Sequence, residues 1–165
     1  MSQTEKDIDQ QTNLKMEKAI RTQMEMLIPE MQEMADNYNI AGDKSPYRNV
    51  LNVAVDPASD VEGTKNYILY QLGRDQKSPW RKTGNGRKKF GLVLVDIISG
   101  LGSDAKKVVE TIGEDPNTKA GKRQLQQVHR RLMQLYLGNL VRYQVYLTFL
   151  EEDKQRTQQR KSRNV

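Results

Sequence analysis

Leu125, Val128, Leu132, Leu135, Tyr136, Leu140, Tyr143, Leu147 and Leu150 recur at steps of three and four residues over 26 positions. That spacing places apolar side chains on one face of a single long helix. A helix with such a stripe must bury it against other elements, so it forms the spine of the domain. Gly138, near the middle, costs about 1 kcal/mol relative to alanine and lets another helix approach closely.

The rest of the chain supplies helices to pack on that spine. Its 165 residues predict one domain. Residues 1–13 are polar and predict a flexible start. From Leu14, the positions Ile20, Met24, Leu27, Met31 and Met34 keep a helical step, with Pro29 predicting a kink or break. Residues 37–46 read as a loop. Val50, Leu51, Val53 and Val55 have strand propensity, but no partner strand is visible elsewhere, so a short helix is preferred. Ser59 and Asp60 are N-cap candidates for a helix whose face holds Val61, Ile68, Leu69 and Leu72 and which stops near Gly73. Residues 74–89, with Pro79, Gly84 and Gly86, form a loop. Residues 90–101 are long enough for a buried helix. Ser103 or Asp104 then caps a separate short helix through Ile112, ended by Gly113. Asp115, Pro116 and Asn117 make a turn. Residues 153–165 predict a basic, unstructured tail. The expected fold is all-α, a compact bundle of about five helices with a long C-terminal one, over residues 14–152.

Several chemistries fall away on residue counts. There is no cysteine, hence no disulfide framework and no thiolate metal site. His129 is the one histidine, so a site built on several histidines is excluded, and neither a nucleophile nor an orienting group points to it. No cofactor or metal is expected. The apolar run at residues 92–95 ends at Asp96, which is too short for a membrane span. Residues 1–10 lack the character of a secretory signal. Gly84 and Gly86 precede Arg87, Lys88 and Lys89 without the glycine spacing or the hydroxyl residue of a phosphate-binding P-loop. The expectation is a cytoplasmic protein that catalyses no reaction.

Charge is unevenly distributed. Residues 1–40 balance to −4, residues 74–89 to +6 and residues 154–165 to +5, within a total of +6. A one-sided local field of this sign attracts phosphates. In the first basic segment, Arg74, Lys77, Arg81, Lys82, Arg87, Lys88 and Lys89 stand against Asp75 alone. Hydroxyls and glycine N–H groups there are further phosphate donors. Trp80 either stacks on a base or anchors the loop in the core; packing is the commoner fate of a lone tryptophan. The tail (Lys154, Arg156, Arg160, Lys161, Arg163) either grips a phosphate backbone or only solubilises. Lys122, Arg123, Arg130 and Arg131 on the last helix extend a positive face or are simply solvated. Arg142, among Tyr136, Tyr143 and Tyr146, reads as a half-buried packing or interface residue. The methionines of the first helix are core, or an adaptable protein-binding face.

Two blocks have a family look. One is Asn66-Tyr67-Ile68-Leu69-Tyr70-Gln71-Leu72-Gly73-Arg74-Asp75 followed by Trp80-Arg81 and the apolar helix from Phe90. The other is Leu135-Tyr136-Leu137-Gly138-Asn139-Leu140-Val141-Arg142-Tyr143. Together they resemble the small helical subunits of type III CRISPR effector complexes, the Csm small-subunit family, over roughly residues 50–150. The resemblance implies a bundle of about five helices with a structural role in antiviral defence. Copies of such a subunit stack along a ribonucleoprotein beside its backbone and large subunits, and contact the guide–target RNA duplex through basic side chains. Cleavage belongs to other subunits. Arg74, Arg81 and Arg142 are the positions it carries over.

The leading expectation is therefore a non-catalytic RNA-binding subunit, with Arg74, Lys77, Trp80, Arg81, Lys82, Arg87, Lys88, Lys89, Arg130 and Arg142 as contacts. Arg81, Lys82, Arg87 and Lys88 are expected to dominate. The alternative is a helical adaptor that binds protein through the methionine-rich first helix and exposed tyrosines, without nucleic acid.

Overall fold

The computed structural model describes residues 3–163 apart from Asp75 and Arg87. It is all-α: α1 spans Gln3–Tyr38, α2 Ser45–Val55, α3 Val61–Arg74, α4 Phe90–Thr111 and α5 Lys119–Arg163, with a 3-10 turn at Pro79–Arg81. Among the described residues no strand forms, only an isolated bridge between Thr83 and Lys89. Among the described residues no helix is long and apolar enough to cross a membrane.

The stripe on α5 is the spine, as its spacing predicts. Val128, Leu132, Met133, Tyr136, Leu137 and Leu140 are buried, and α1, α2 and α4 pack along them. Glu17 meets Arg131 low on the pair and Asp36 meets Tyr143 high on it, so α1 and α5 run in parallel. Gln23 touches Asp104, whereas Tyr38 touches Lys88, so α4 runs antiparallel to α1.

Short-range signals in the sequence match the local structure. Residues 50–55 are helical, in α2, with Pro46 in its first turn. Asp60 is the cap of α3, its carboxylate accepting from the Gly63 N–H at 2.7 Å. Gly113, at φ +84°, adopts the left-handed conformation that ends α4.

Gly138 admits no close helix, since a Cβ there would meet no atom within 4 Å. Four further expectations are corrected. First, the helix begins at Gln3 rather than Leu14. Residues 3–13 contain neither glycine nor proline, and extending a helix already nucleated by packing from Ala19 onward costs little. Second, Pro29 does not break α1 into two elements. It is exposed, so water can serve the carbonyl it leaves unpaired, while Met31 and Ala35 beyond it stay buried and keep the second half of the helix packed. Third, the helix predicted to start at Ser103 or Asp104 is the second half of α4. Its buried face, Leu94, Ile98, Leu101, Ala105 and Val108, continues in register across Gly100 and Gly102, and this packing outweighs the propensity of two glycines. Fourth, residues 153–163 are helical, not unstructured. They contain no breaker, and Arg160, Lys161 and Arg163 complement the negative end of the helix dipole.

Candidate nucleic-acid interface

The first basic segment packs against the C-terminal end of α1. Gly84 lies where a Cβ would stand 2.9 Å from the Asn37 carbonyl, and the Asn85 N–H donates to Asn37 Oδ1 at 3.0 Å. Lys82 Nζ donates to the Asn39 carbonyl at 2.7 Å. The next residues of the same turn, Ile40 and Gly42, are held by α5. Gln144 Nε2 donates to both carbonyls, and the Gly42 N–H donates to Thr148 Oγ1. Residues 39–42 thus sit between the basic loop and the point where α5 leaves the bundle. From Thr148, α5 runs on to Arg163, roughly 22 Å at 1.5 Å per residue. Every residue from 151 to 163 is exposed. The two cationic segments, 65 positions apart in sequence, therefore emerge at one end of the molecule. Glu151, Glu152 and Asp153 stand between the bundle and the basic stretch of the overhang. At the same end Asp43 accepts from the Ser45 N–H at 2.9 Å, and these Ser45 bonds hold its carboxyl below the ordinary carboxylate value.

Within the loop the side chains divide. Arg74 is exposed at the end of α3, its guanidinium 5.9 Å from the Tyr70 ring centre. Lys77 and Lys89 are exposed. Arg87 lies outside the described residues. Lys88 is exposed and paired with Asp96. Three of the expected contacts have other work. Trp80 is 1% exposed, stacked on Phe90 with ring centres 5.5 Å apart and against Tyr47 at 5.4 Å. It cannot reach a base, so the stacking role is corrected to that of a core anchor. Arg81 donates through Nε to the Leu72 carbonyl at 2.6 Å and through Nη2 to that of Gly73 at 3.0 Å, which caps α3. Lys82 is likewise spent on the Asn39 carbonyl, in the turn just after α1. The expected dominance of Arg81 and Lys82 is therefore corrected. Replacing Arg81 with alanine should cost about 1–2 kcal/mol, since a charged donor leaves two helix-end carbonyls. A thermal melt checks this, and an unchanged midpoint would show that the cap contributes nothing.

The remaining candidates lie along α5. Arg130 is half-buried and donates to the Asp56 carbonyl at 2.6 Å, far from the loop, so it closes the end of α2 rather than joining a cationic face. Arg142 is exposed, not half-buried. His129 is committed to the Ile98 carbonyl at 2.7 Å. Among the described residues no group of three metal-ligating side chains comes together. The methionine face is largely consumed by the core: Met24 and Met31 are buried, Met16 and Met34 pack against them, and Met26 alone of that stripe points outward, 62% exposed.

Sequence reading missed two features. Val145, Tyr146 and Phe149 form an exposed patch on α5 directly below the overhang. Phe149 lies one position from the buried stripe, and only knowledge of where the bundle stops separates it from a core residue. The other is a cleft of about 470 Å³ between α1 and α4, with Lys15, Lys18 and Lys107 above a floor of Ala19, Val108 and Ile112. It lies roughly 30 Å down α1 from the cationic end. Its residues are about ninety apart in sequence, so no local pattern announces it.

No protein-family model, curated protein or solved structure matches the chain.

Proposed function

We propose that this chain is a non-catalytic RNA-binding subunit of a cytoplasmic ribonucleoprotein, of the type formed by the small helical subunits of type III CRISPR effector complexes. One observation carries the reading: the two strongly basic segments of the sequence emerge together, on either side of residues 39–42. The all-α bundle of five helices is also what the family resemblance implies. Arg74 and Lys89, with Lys77 beside them, present charge to solvent at that end. Their side chains suit phosphate oxygens and carry no base-specific arrangement, so binding is indifferent to sequence. The duplex meets the loop end, while partner subunits contact the remaining surface.

The double variant Arg74→Glu/Lys89→Glu tests this without removing a capping side chain, since Lys89 is the N-cap of α4 but its side chain makes no capping bond. Its affinity for a 20-base-pair RNA duplex should fall at least about tenfold in 0.1 M salt, and its salt slope should flatten by about two. For the unmodified chain, about four phosphate contacts predict a loss on the order of 10²-fold between 50 and 200 mM salt. A fluorescence-polarisation titration reads both quantities. Duplex binding that ignores salt, or that survives in the double variant, excludes the loop end as the RNA surface.

A further inference from the structure

The exposed residues of α5 beyond the core are arranged in register. Arg142, Tyr146, Phe149, Asp153, Arg156, Arg160 and Arg163 follow at steps of four, three, four, three, four and three, which keeps them on one face of the helix. All are exposed, Tyr146 at 50% and Phe149 at 57%. Two bare aromatic rings are thus followed, over roughly 20 Å of the same face, by three arginines and one acid. Within salt-bridge distance none of the three arginines meets a carboxylate among the described residues.

The aromatic end is held in place from below. The Tyr143 hydroxyl donates to Asp36 at 3.0 Å, and burial with that bond raises the phenol above its ordinary value. Its ring lies 5.8 Å from that of Tyr146, tilted by 41°. Tyr146 therefore stands on a neighbour anchored to α1.

We propose that this face is a stacking platform for single-stranded RNA. Bases lie on Tyr146 and Phe149, and Arg156, Arg160 and Arg163 take the phosphates that follow. Aromatic rings beside cations are the chemistry by which unpaired strands are held regardless of sequence. The guanidinium fork matches phosphate oxygens. A protein partner fits less well. The apolar part of the face consists of Val145, Tyr146 and Phe149, and residues 151–163 add no apolar side chain. Three side chains cannot supply the roughly 800 Å² per partner of a stable interface. This inference rests on the RNA-binding reading above, and it adds an unpaired strand to the duplex placed at the loop.

The test uses the full chain and three labelled probes: a ten-residue uridine oligomer, an abasic ribose-phosphate oligomer of equal length and charge, and a 20-base-pair RNA duplex. The uridine oligomer should bind about tenfold or more tightly than the abasic one. Tyr146→Ala/Phe149→Ala should bring uridine affinity down to the abasic level and leave duplex affinity unchanged. Tyr146→Phe, which keeps the ring, should bind like the unmodified chain. Equal binding of the uridine and abasic oligomers overturns the platform, and needs no variant to show it. If the duplex still binds in that case, the loop-end reading stands alone; if no probe binds, both fall. A change in sedimentation of the free chain on the double alanine substitution would assign the face to a second copy and overturn the proposal as well.

Discussion

Trp80→Ala is expected to destabilise the protein by about 3–5 kcal/mol, the range for truncating a buried large aromatic. For a chain of this length that corresponds to a fall in melting temperature of roughly 6–20 °C. The indole fills the space between Phe90, on which it stacks with planes 8° apart, and Tyr47 of α2. A Cβ at Gly91 would stand 3.2 Å from the Trp80 Cβ, so the turn and the start of α4 are already in close contact. No neighbour can collapse into the cavity without moving a helix. The loss also reaches the basic loop. Trp80 is the middle residue of the 3-10 turn, and the next two side chains cap α3 and hold the turn after α1. Far-UV circular dichroism against urea measures the loss. In the unmodified protein, tryptophan emission should be blue-shifted and should not change when RNA binds. Quenching by RNA would place the ring at a base and reverse its assignment.

The choice between the two readings of Trp80, decided for packing, shows which parts of this molecule could be read in advance. Elements follow from periodicity, and the periodicity here is strong: the stripe on α5 and the cap at Asp60 need only neighbours in sequence. Continuity was harder to read, because a helix interrupted by glycine or proline continues only if the packed face on both sides stays in register. Pro29 and Gly100 could not report that alone. The site was legible as charge but not as geometry. Seven cations in sixteen residues announce a positive loop. Nothing local reveals that Arg81 faces the open carbonyls at the end of α3, that Lys82 faces the turn after α1, or that Lys88 meets Asp96. Those partners come from other elements. The same holds for the convergence of loop and overhang, which depends on the 39–42 turn that Gln144 grips from 102 residues away.

Gln144→Glu is the most direct probe of that turn. Gln144 is fully buried, and its Nε2 donates to the Ile40 carbonyl at 3.2 Å, the Gly42 carbonyl at 2.9 Å and Thr148 Oγ1 at 3.2 Å. Glutamate has nearly the same shape but, when ionised, has no hydrogen to give. Two carbonyl oxygens would then face a carboxylate oxygen in a dry site, which raises the folded-state pKa above the unfolded value of about 4.3. The sign follows: the variant keeps its stability below the unfolded pKa and loses it as pH rises toward the folded one. Near pH 4 the neutral acid donates one bond where the amide donated more, a loss of about 1–3 kcal/mol. Each further pH unit removes about 1.4 kcal/mol, up to about 4 kcal/mol more by pH 7. Gln144→Leu strands the Ile40 carbonyl, while that of Gly42 keeps the Thr148 hydroxyl as a donor, so it should lose about 1–3 kcal/mol, with no such slope. Urea midpoints between pH 4 and 7 separate the two variants. A flat profile for the glutamate would mean that water reaches residue 144, so that α5 does not clamp residues 39–42. The basic loop and the overhang would then have no fixed relation, and a strand could not engage both at once.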